Sequence, residues 1–190
     1  MSHVFDSSQK NILESDFRKK ILPKEPVIEF ISDLTPEDRG IALEVGSGSG
    51  YFTVVLARYF HKVYGIEVSK DMAYHTAKRL DDEKIKNVGL IVAERPQIDF
   101  EVDLVFFADV LHEVDDPQTY LDYRAKIVVV IDWKKDEQTS FGPPMDVRIP
   151  EERMAKMVEN KGYKIGRIDA YQYHYFIWGE SRSEGRSELE

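Results

Sequence analysis

The sequence predicts an α/β fold in which helices cover both faces of a mostly parallel, doubly wound sheet. A buried strand, Ile41–Val45, runs directly into a glycine turn and then into a helix that reaches Tyr59. Four more apolar strands follow, separated by helical or polar segments. Two adjacent strands then close the pattern through a short connection, which requires an antiparallel pair. Alternating strands and helices followed by a hairpin are typical of this fold class.

The remaining elements follow in a regular order along the chain. Continuous apolar runs such as Leu104–Ala108 indicate strands that are buried on both faces. The helix that Pro150 opens carries Met154 and Met157 on one side, and we expect both to pack in the core. We predict strands at 62–67, 87–92, 102–108, 126–131, 162–169 and 170–179, and helices around 51–59, 72–80, 117–123 and 151–161.

Two amphipathic helices are predicted before the first strand, within residues 1–34. Ser7 or Ser8 caps the first helix, apolar residues recur at every fourth position, and Pro23 ends it. The second helix has an apolar face between Val27 and Leu34. These helices either cover one end of the sheet or form a lid over a ligand, and the pattern leaves both interpretations open.

The stretch IALEVGSGSG, residues 41–50, indicates a nucleotide-type site. Glycine permits positive φ and lets a ligand lie against bare backbone, while the start of the following helix offers free amide donors. The dinucleotide fingerprint GxGxxG would start at Gly46 and would need glycine or alanine at position 51, where this chain has Tyr51. Glu67 ends the second strand about twenty residues beyond the loop, where a carboxylate accepts both ribose hydroxyls. Glu67 is therefore the best single candidate for a cofactor ligand.

The string from Glu44 to Gly50, ExGxGxG, resembles motif I of the class I S-adenosylmethionine-dependent methyltransferases. The resemblance covers roughly residues 40–179 and is closest to the small-molecule enzymes of the ubiquinone and menaquinone type. It implies a Rossmann-like seven-stranded sheet of order 3-2-1-4-5-7-6, with the last strand antiparallel. It also implies S-adenosylmethionine as cofactor and a set of binding residues at the carboxyl ends of the strands. These are Glu44, Gly46, Ser47, Gly48, Gly50, Glu67, Val68, Ala93, Glu94 and Ala108, with adenine lying between Val68 and the turn at Ala93 and Glu94.

Candidate catalytic residues follow the fourth strand, in the stretch Ala108–His112. His112 is the best placed titratable group for a general base, and Glu113 or Asp109 would orient it. The alternative is structural, with His112 packed against the next short helix and Asp109 bonded to loop backbone. The Asp/Asn-Pro-Pro-Tyr string of amino methyltransferases is absent here, which disfavours methylation of nucleic-acid bases and glutamine.

The region after the fifth strand departs from the resembled family and ends in a polar tail. Only three residues separate Tyr123 from Ile127, where relatives carry a longer helix and a turn with lysine, proline and two glycines. Residues 134–149 form a polar loop rich in turn residues that could close over a substrate. Residues 181–190 are rich in Ser, Glu and Arg, which predicts a disordered tail after a single domain at 1–180.

Composition narrows the functional classes. The formal net charge is −9 and basic residues are scattered among acidic ones, which disfavours a nucleic-acid partner. There are no cysteines, hence no disulfide or thiolate metal site, and we expect no metal. Short apolar runs and an N-terminus without a signal pattern predict a cytoplasmic protein with no membrane partner. The expected function is methyl transfer to a small molecule. A non-catalytic binder of the cofactor or a nicotinamide-dependent oxidoreductase are the alternatives, and the oligomeric state stays undetermined.

Overall fold

The computed structural model describes residues 16–182, and a seven-stranded sheet forms their centre. The strands are β1 (Ile41–Val45), β2 (Lys62–Glu67), β3 (Val88–Val92), β4 (Val102–Ala108), β5 (Ala125–Trp133), β6 (Tyr163–Ile168) and β7 (His174–Ser181). The helices are α1 (Asp16–Ile21), α2 (Glu25–Ser32), α3 (Thr53–Tyr59), α4 (Lys70–Asp82), α5 (Pro117–Tyr120) and α6 (Glu151–Asn160), with a 3-10 turn at Pro36–Asp38. Ser7, Ser8 and most of the expected disordered tail lie outside the described residues.

The sheet has the order β3-β2-β1-β4-β5-β7-β6, which confirms the order that the sequence resemblance implies. Strands β1 to β5 pair in parallel, whereas β7 is antiparallel to both of its neighbours, β5 and β6. The carboxyl ends of β1, β2, β4 and β5 and the amino end of β7 therefore meet at one edge of the sheet. A ligand site in an open α/β sheet lies at this edge, where the strand order reverses between β1 and β4.

An apolar layer packs on each face of the sheet. Successive residues of β4 alternate between the two layers, so that Leu104 and Phe106 enter one while Val105 and Phe107 enter the other. The first layer is completed by α2, α3 and the segment before them. The second is completed by α6, whose Met154 and Met157 are buried as expected. Burial on both faces explains why the central strands read as continuous apolar runs.

Several element boundaries differ from the predictions. The hairpin β6–β7 is antiparallel as expected, but its connection is longer because β7 begins at His174 and not at Ala170. Tyr171 lies in this connection, is buried, and donates a hydrogen bond from its hydroxyl to the Pro23 carbonyl at 3.1 Å. This hydrogen bond holds the connection between β6 and β7 apart from the hydrogen-bonded strands. At the other end Ser181 still belongs to β7, so the predicted tail began too early.

The connection from β3 to β4 contains no helix, and none is predicted there. Residues 93–101 cross the sheet as irregular backbone, and Phe100 lies against Tyr64 with ring centroids 6.0 Å apart. Pro96 and the lack of a helical apolar period account for the irregular path. No helix of the described chain is both long enough and apolar enough to cross a membrane.

Candidate cofactor and acceptor site

The glycine turn after β1 uses conformations that suit glycine. Gly46, Gly48 and Gly50 have φ values of +75°, +52° and +77°, in the left-handed region that costs other residues about 1–2 kcal/mol. A Cβ atom at Gly46 would also lie only 2.3 Å from Cγ2 of Val110, which leaves no space for any side chain. The turn therefore approaches the β4 edge closely and exposes its backbone there.

Glu67, at the end of β2, organises this turn through both of its carboxylate oxygens. Oε2 accepts a hydrogen bond from the Gly48 amide at 2.8 Å, and Oε1 accepts one from the Ser69 amide at 2.8 Å. The residue is 7% exposed, so its carboxylate is held at the mouth of the site. Each oxygen retains a further lone pair that can accept a hydrogen bond from a hydroxyl group. The predicted ribose acceptor is thus fixed in place by the protein itself.

Glu44 lies beneath the turn with its carboxyl group buried. The Thr53 hydroxyl at the start of α3 donates a hydrogen bond to Glu44 Oε2. Burial raises the pKa of Glu44 to about 8, and the charge of nearby Glu67 adds to the increase, while the bond from Thr53 opposes it. Glu44 is therefore largely neutral at pH 7 and links the glycine turn to the first turn of α3.

Two serine hydroxyls in the turn fit a polar ligand. Among the described residues, Ser47 Oγ and Ser49 Oγ are buried and have no hydrogen-bond partner. The turn is held from below, because the Thr76 hydroxyl of α4 donates to the Gly48 carbonyl at 2.7 Å. Buried hydroxyls without partners are uncommon, and a ligand that bonds to them would remove the cost. The cradle therefore suits a ligand with several polar groups along its length.

The expected adenine site lies beside the ends of β2 and β3. Val68 is 50% exposed there, and the Ala93 amide donates a hydrogen bond to the Glu67 carbonyl at 3.1 Å. Glu94 is exposed, with the Tyr120 hydroxyl 3.5 Å from its Oε1. Ala108 ends β4 at the same edge and is half-buried. An exposed apolar side chain next to acid and amide groups suits the flat face and polar rim of a base.

Asp109, directly after β4, is held between an arginine and a buried histidine. Its carboxylate lies 2.9 Å from Nη1 of Arg18 on α1 and 3.1 Å from Nε2 of the buried His174 on β7. Its backbone is left-handed, with φ +57°, which is unusual for a residue with a side chain. Burial would raise the pKa of Asp109, but His174 and Arg18 outweigh it and hold the pKa well below its usual range. Asp109 is therefore an anion and a poor proton acceptor.

His112 is bonded to a carboxylate that the sequence did not single out as its partner. Its Nδ1 lies 2.6 Å from Oδ1 of Asp132, while Nε2 lies 3.8 Å from Glu113 Oε1. Asp132, not Glu113 or Asp109, thus orients the ring. Burial would lower the pKa of His112, but Asp132 outweighs it and raises the pKa to about 9. The ring therefore carries its second proton at neutral pH.

Tyr51, the residue in place of the third fingerprint glycine, attaches the segment before β1 to the site. Its hydroxyl donates to the Leu22 carbonyl at 3.0 Å, and Nζ of Lys24 lies 4.4 Å from the centre of its ring. Arg18 lies over the same ring with its Cζ 5.6 Å from the centroid. The side chain that disfavours a dinucleotide thus also positions α1 beside the glycine turn.

The loop between β5 and α6 covers the other side of the site and is organised around Arg148. This side chain is 2% exposed, and its guanidinium donates to four loop carbonyls and one hydroxyl, those of Lys134, Glu137, Pro143, Phe141 and Thr139. Phe141 of this loop meets Phe17 of α1 edge to face, with ring centroids 4.8 Å apart. The two predicted covering segments therefore contact each other above the β4 and β5 ends.

The sheet and the sequence around it are similar to those of known proteins. Residues 43–128 match the family model described as a methyltransferase domain. A solved S-adenosylmethionine-dependent methyltransferase from Aquifex aeolicus superposes with a TM-score of 0.79 and 24% identity, over 93% of this chain and 98% of that chain. Residues 43–128 are thus similar to a methyltransferase domain, and the sheet has the class I fold. The expected resemblance is confirmed, and so is S-adenosylmethionine as the cofactor of this class.

Curated relatives of the methyltransferase domain act on different acceptors. A tRNA/tmRNA (uracil-C(5))-methyltransferase from Campylobacter lari is 40% identical over 66 residues, which are 34% of this chain and 19% of that protein. A protein-L-isoaspartate O-methyltransferase 2 from Nitrosococcus oceani is 44% identical over 71 residues, which are 36% of this chain and 32% of that protein. The chain thus spans a third or less of their length, and the similarity extends to the domain and not to an acceptor.

Sequence reasoning missed three side chains that contact Asp109 or His112: Arg18, Asp132 and His174. Asp132 directly follows an apolar strand, and the rule that identified Glu67 as an acid at a carboxyl end could have identified it. Arg18 and His174 gave no such signal, because each reaches Asp109 from an element distant in the sequence.

Proposed function

We propose that this protein transfers the methyl group of S-adenosylmethionine to a small-molecule acceptor. The observation that carries the proposal is the cover over the acceptor side, formed where Arg18 meets Asp109 at 2.9 Å and Phe17 meets Phe141 at 4.8 Å. A folded RNA or protein would have to displace both contacts to bring an internal atom to the glycine turn. We therefore propose that the acceptor is a small molecule that enters beneath them. The proposal includes a cytoplasmic location and no nucleic-acid partner.

The donor is proposed to lie along the edge of the sheet. Its methionine part would follow Glu44–Gly50, where the Ser47 and Ser49 hydroxyls are buried without partners in the described structure. Its ribose would bond to Glu67, and its adenine would lie between Val68 and the turn at Ala93 and Glu94, with Ala108 beside it. The anionic Asp109 carboxylate would stabilise the donor's positive charge.

Catalysis in this site is proposed to rest mainly on positioning. When bound, S-adenosylmethionine supplies a methyl group on a positively charged sulfur, which is already electrophilic. The protein must then hold the acceptor in line with the sulfur and the methyl carbon, an effect that can supply several kcal/mol. Asp109 and His112 are proposed to contact the reactants. Because His112 keeps its proton at neutral pH, it acts as a charged hydrogen-bond donor and not as the base that its sequence position predicts.

The residues 16–34 and the loop at 134–149 are proposed to form a cover that excludes water during transfer. This proposal is supported by the contact of Arg18 with Asp109 and that of Phe17 with Phe141. It is also supported by the hydrogen bond from the Tyr51 hydroxyl to the Leu22 carbonyl. A donor that enters the edge would have to pass these segments. Closure over bound donor would strengthen the electrostatic interactions inside.

Isothermal titration and turnover assays test the proposal in two steps. Titration with S-adenosylmethionine, its demethylated product and nicotinamide nucleotides should give binding of the first two only. Turnover with a labelled methyl group is then measured on a panel of small carboxylates, phenols, quinols and amines, with tRNA and isoaspartyl peptide as comparison acceptors. Binding without turnover on any acceptor would favour a non-catalytic binder, and turnover only on tRNA or peptide would overturn the small-molecule assignment.

A further inference from the structure

Asp132 is a buried acid that bonds to the side chain and the backbone of His112. It is the last residue but one of β5 and is 1% exposed. Its Oδ1 accepts from the Trp133 amide at 2.8 Å, and its Oδ2 accepts from the His112 amide at 3.2 Å. The two backbone bonds fix the plane of the carboxylate without any help from the imidazole.

The imidazole contact has the geometry of a charge-assisted bond. His112 Nδ1 lies 2.6 Å from Asp132 Oδ1, slightly shorter than the roughly 2.7–2.9 Å that is usual for such charged pairs. A carboxylate at this depth needs a cationic partner, because an unpaired buried charge is strongly destabilising. Nδ1 therefore carries a proton, which it donates to Asp132, and Nε2 is the ring atom that can contact a ligand.

The other charged groups facing His112 act in the same direction. Glu113, on the same loop, has Oε1 3.8 Å from Nε2, and Asp109, at the end of β4, adds a further negative charge. Asp109 is paired with Arg18 and His174, and the Glu113 side chain is 26% exposed, whereas the Asp132 side chain is 1% exposed. Asp132 is thus the acid in direct, buried contact with the ring.

We infer that Asp132 is a positioning residue that holds His112 as an imidazolium whose Nε2–H meets the acceptor. The inference rests on the proposed methyl transfer and names the class of acceptor: a molecule that presents an anionic oxygen at neutral pH, such as a carboxylate or an enolate. In the step, the bond from sulfur to methyl carbon breaks and a bond from oxygen to that carbon forms. The donor leaves as a neutral thioether and the acceptor loses its negative charge, so no proton needs a base.

The ring nitrogens of His112 provide a test that needs no acceptor. In ¹⁵N-labelled protein, His112 should titrate with a midpoint near 9, with Nδ1 protonated throughout. In Asp132→Asn the midpoint should fall by at least about 1.5 units, toward or below the ordinary value of about 6.5. The matched control, Glu113→Gln, removes the more exposed neighbouring acid and should move it by less than about half a unit. A wild-type midpoint near the ordinary value, or an unchanged midpoint in Asp132→Asn, would overturn the inference.

Activity measurements then separate this role from a purely structural one. An imidazolium donor predicts that kcat falls as pH rises through the His112 pKa, whereas a general base predicts that kcat rises there. In Asp132→Asn this fall in kcat should occur at lower pH, while the affinity for the donor stays within about twofold of wild type. Should Asp132→Asn fail to fold, the wild-type titration still decides. If wild-type protein does not bind S-adenosylmethionine, the proposed function is refuted. If it binds the donor but His112 is neutral at pH 7, only this inference is refuted.

Discussion

Replacement of Glu67 by alanine is the sharpest test of the cofactor site. The change removes both carboxylate oxygens, which accept from the Gly48 and Ser69 amides at 2.8 Å. It also removes the proposed acceptor for the ribose hydroxyls. Hydrogen bonds to a charged group contribute about 1.5–3 kcal/mol each, and part of that is recovered by water, so we expect a loss of about 2–3 kcal/mol in binding free energy. That corresponds to roughly a 30- to 140-fold higher Kd for S-adenosylmethionine.

The same substitution should lower stability, because the two amides lose their acceptor in a largely buried place. A loss of about 2 kcal/mol would shift the Tm by roughly 4–8 °C in a protein of this size. Titration calorimetry measures the Kd well below the melting range. Asp71→Ala is the matched control, since it removes an exposed acid from the first turn of α4 and changes the net charge equally. A Glu67→Ala protein that binds the donor within twofold of wild type would refute the assignment of the ribose site.

Four further predictions concern the glycine turn, the buried Glu44 beneath it, the loop around Arg148, and His112. Gly46→Ala should lower donor affinity at least tenfold and lower the Tm, because φ is +75° and its Cβ would lie 2.3 Å from a side-chain carbon, whereas Gly162→Ala, with positive φ but open space, isolates the backbone strain. Since burial raises the pKa of Glu44 to about 8, folded protein retains a proton that unfolded protein releases above about 4.5. Wild-type stability should thus fall by up to roughly 1.4 kcal/mol per pH unit between those values, and melting of Glu44→Gln should show a smaller decline. Arg148→Ala should reduce amide-exchange protection in the loop before α6 at least tenfold; in wild-type protein, donor should increase that protection, and equal protection with and without donor would indicate a static cover. His112→Ala should lower kcat by about 10² or more with donor affinity nearly unchanged, and a fully active variant would leave positioning by the remaining residues as the mechanism.

The sequence alone predicted the strand, glycine turn and helix unit and the position of the acid at the end of β2, because both depend on local patterns. An apolar strand that runs into three spaced glycines specifies a strand, turn and helix unit, and the left-handed φ values of those glycines follow from the same residues. The acid at the end of β2 could be placed from its distance along the chain, since parallel strands bring their carboxyl ends to one edge. The seven-stranded order came from the resemblance to a known class and was confirmed.

Only the tertiary structure decided the acceptor side, where every important contact joins segments distant in sequence. Asp132 meets His112 across 20 positions, and His174 and Arg18 reach Asp109 from a returning antiparallel strand and from the first helix. No periodicity or spacing encodes such pairs, because they depend on which strand lies next to which and on where loops cross the edge. The protonation of His112 and Glu44 was equally hidden, since a pKa is set by burial and by neighbouring charges that exist only once the chain has folded.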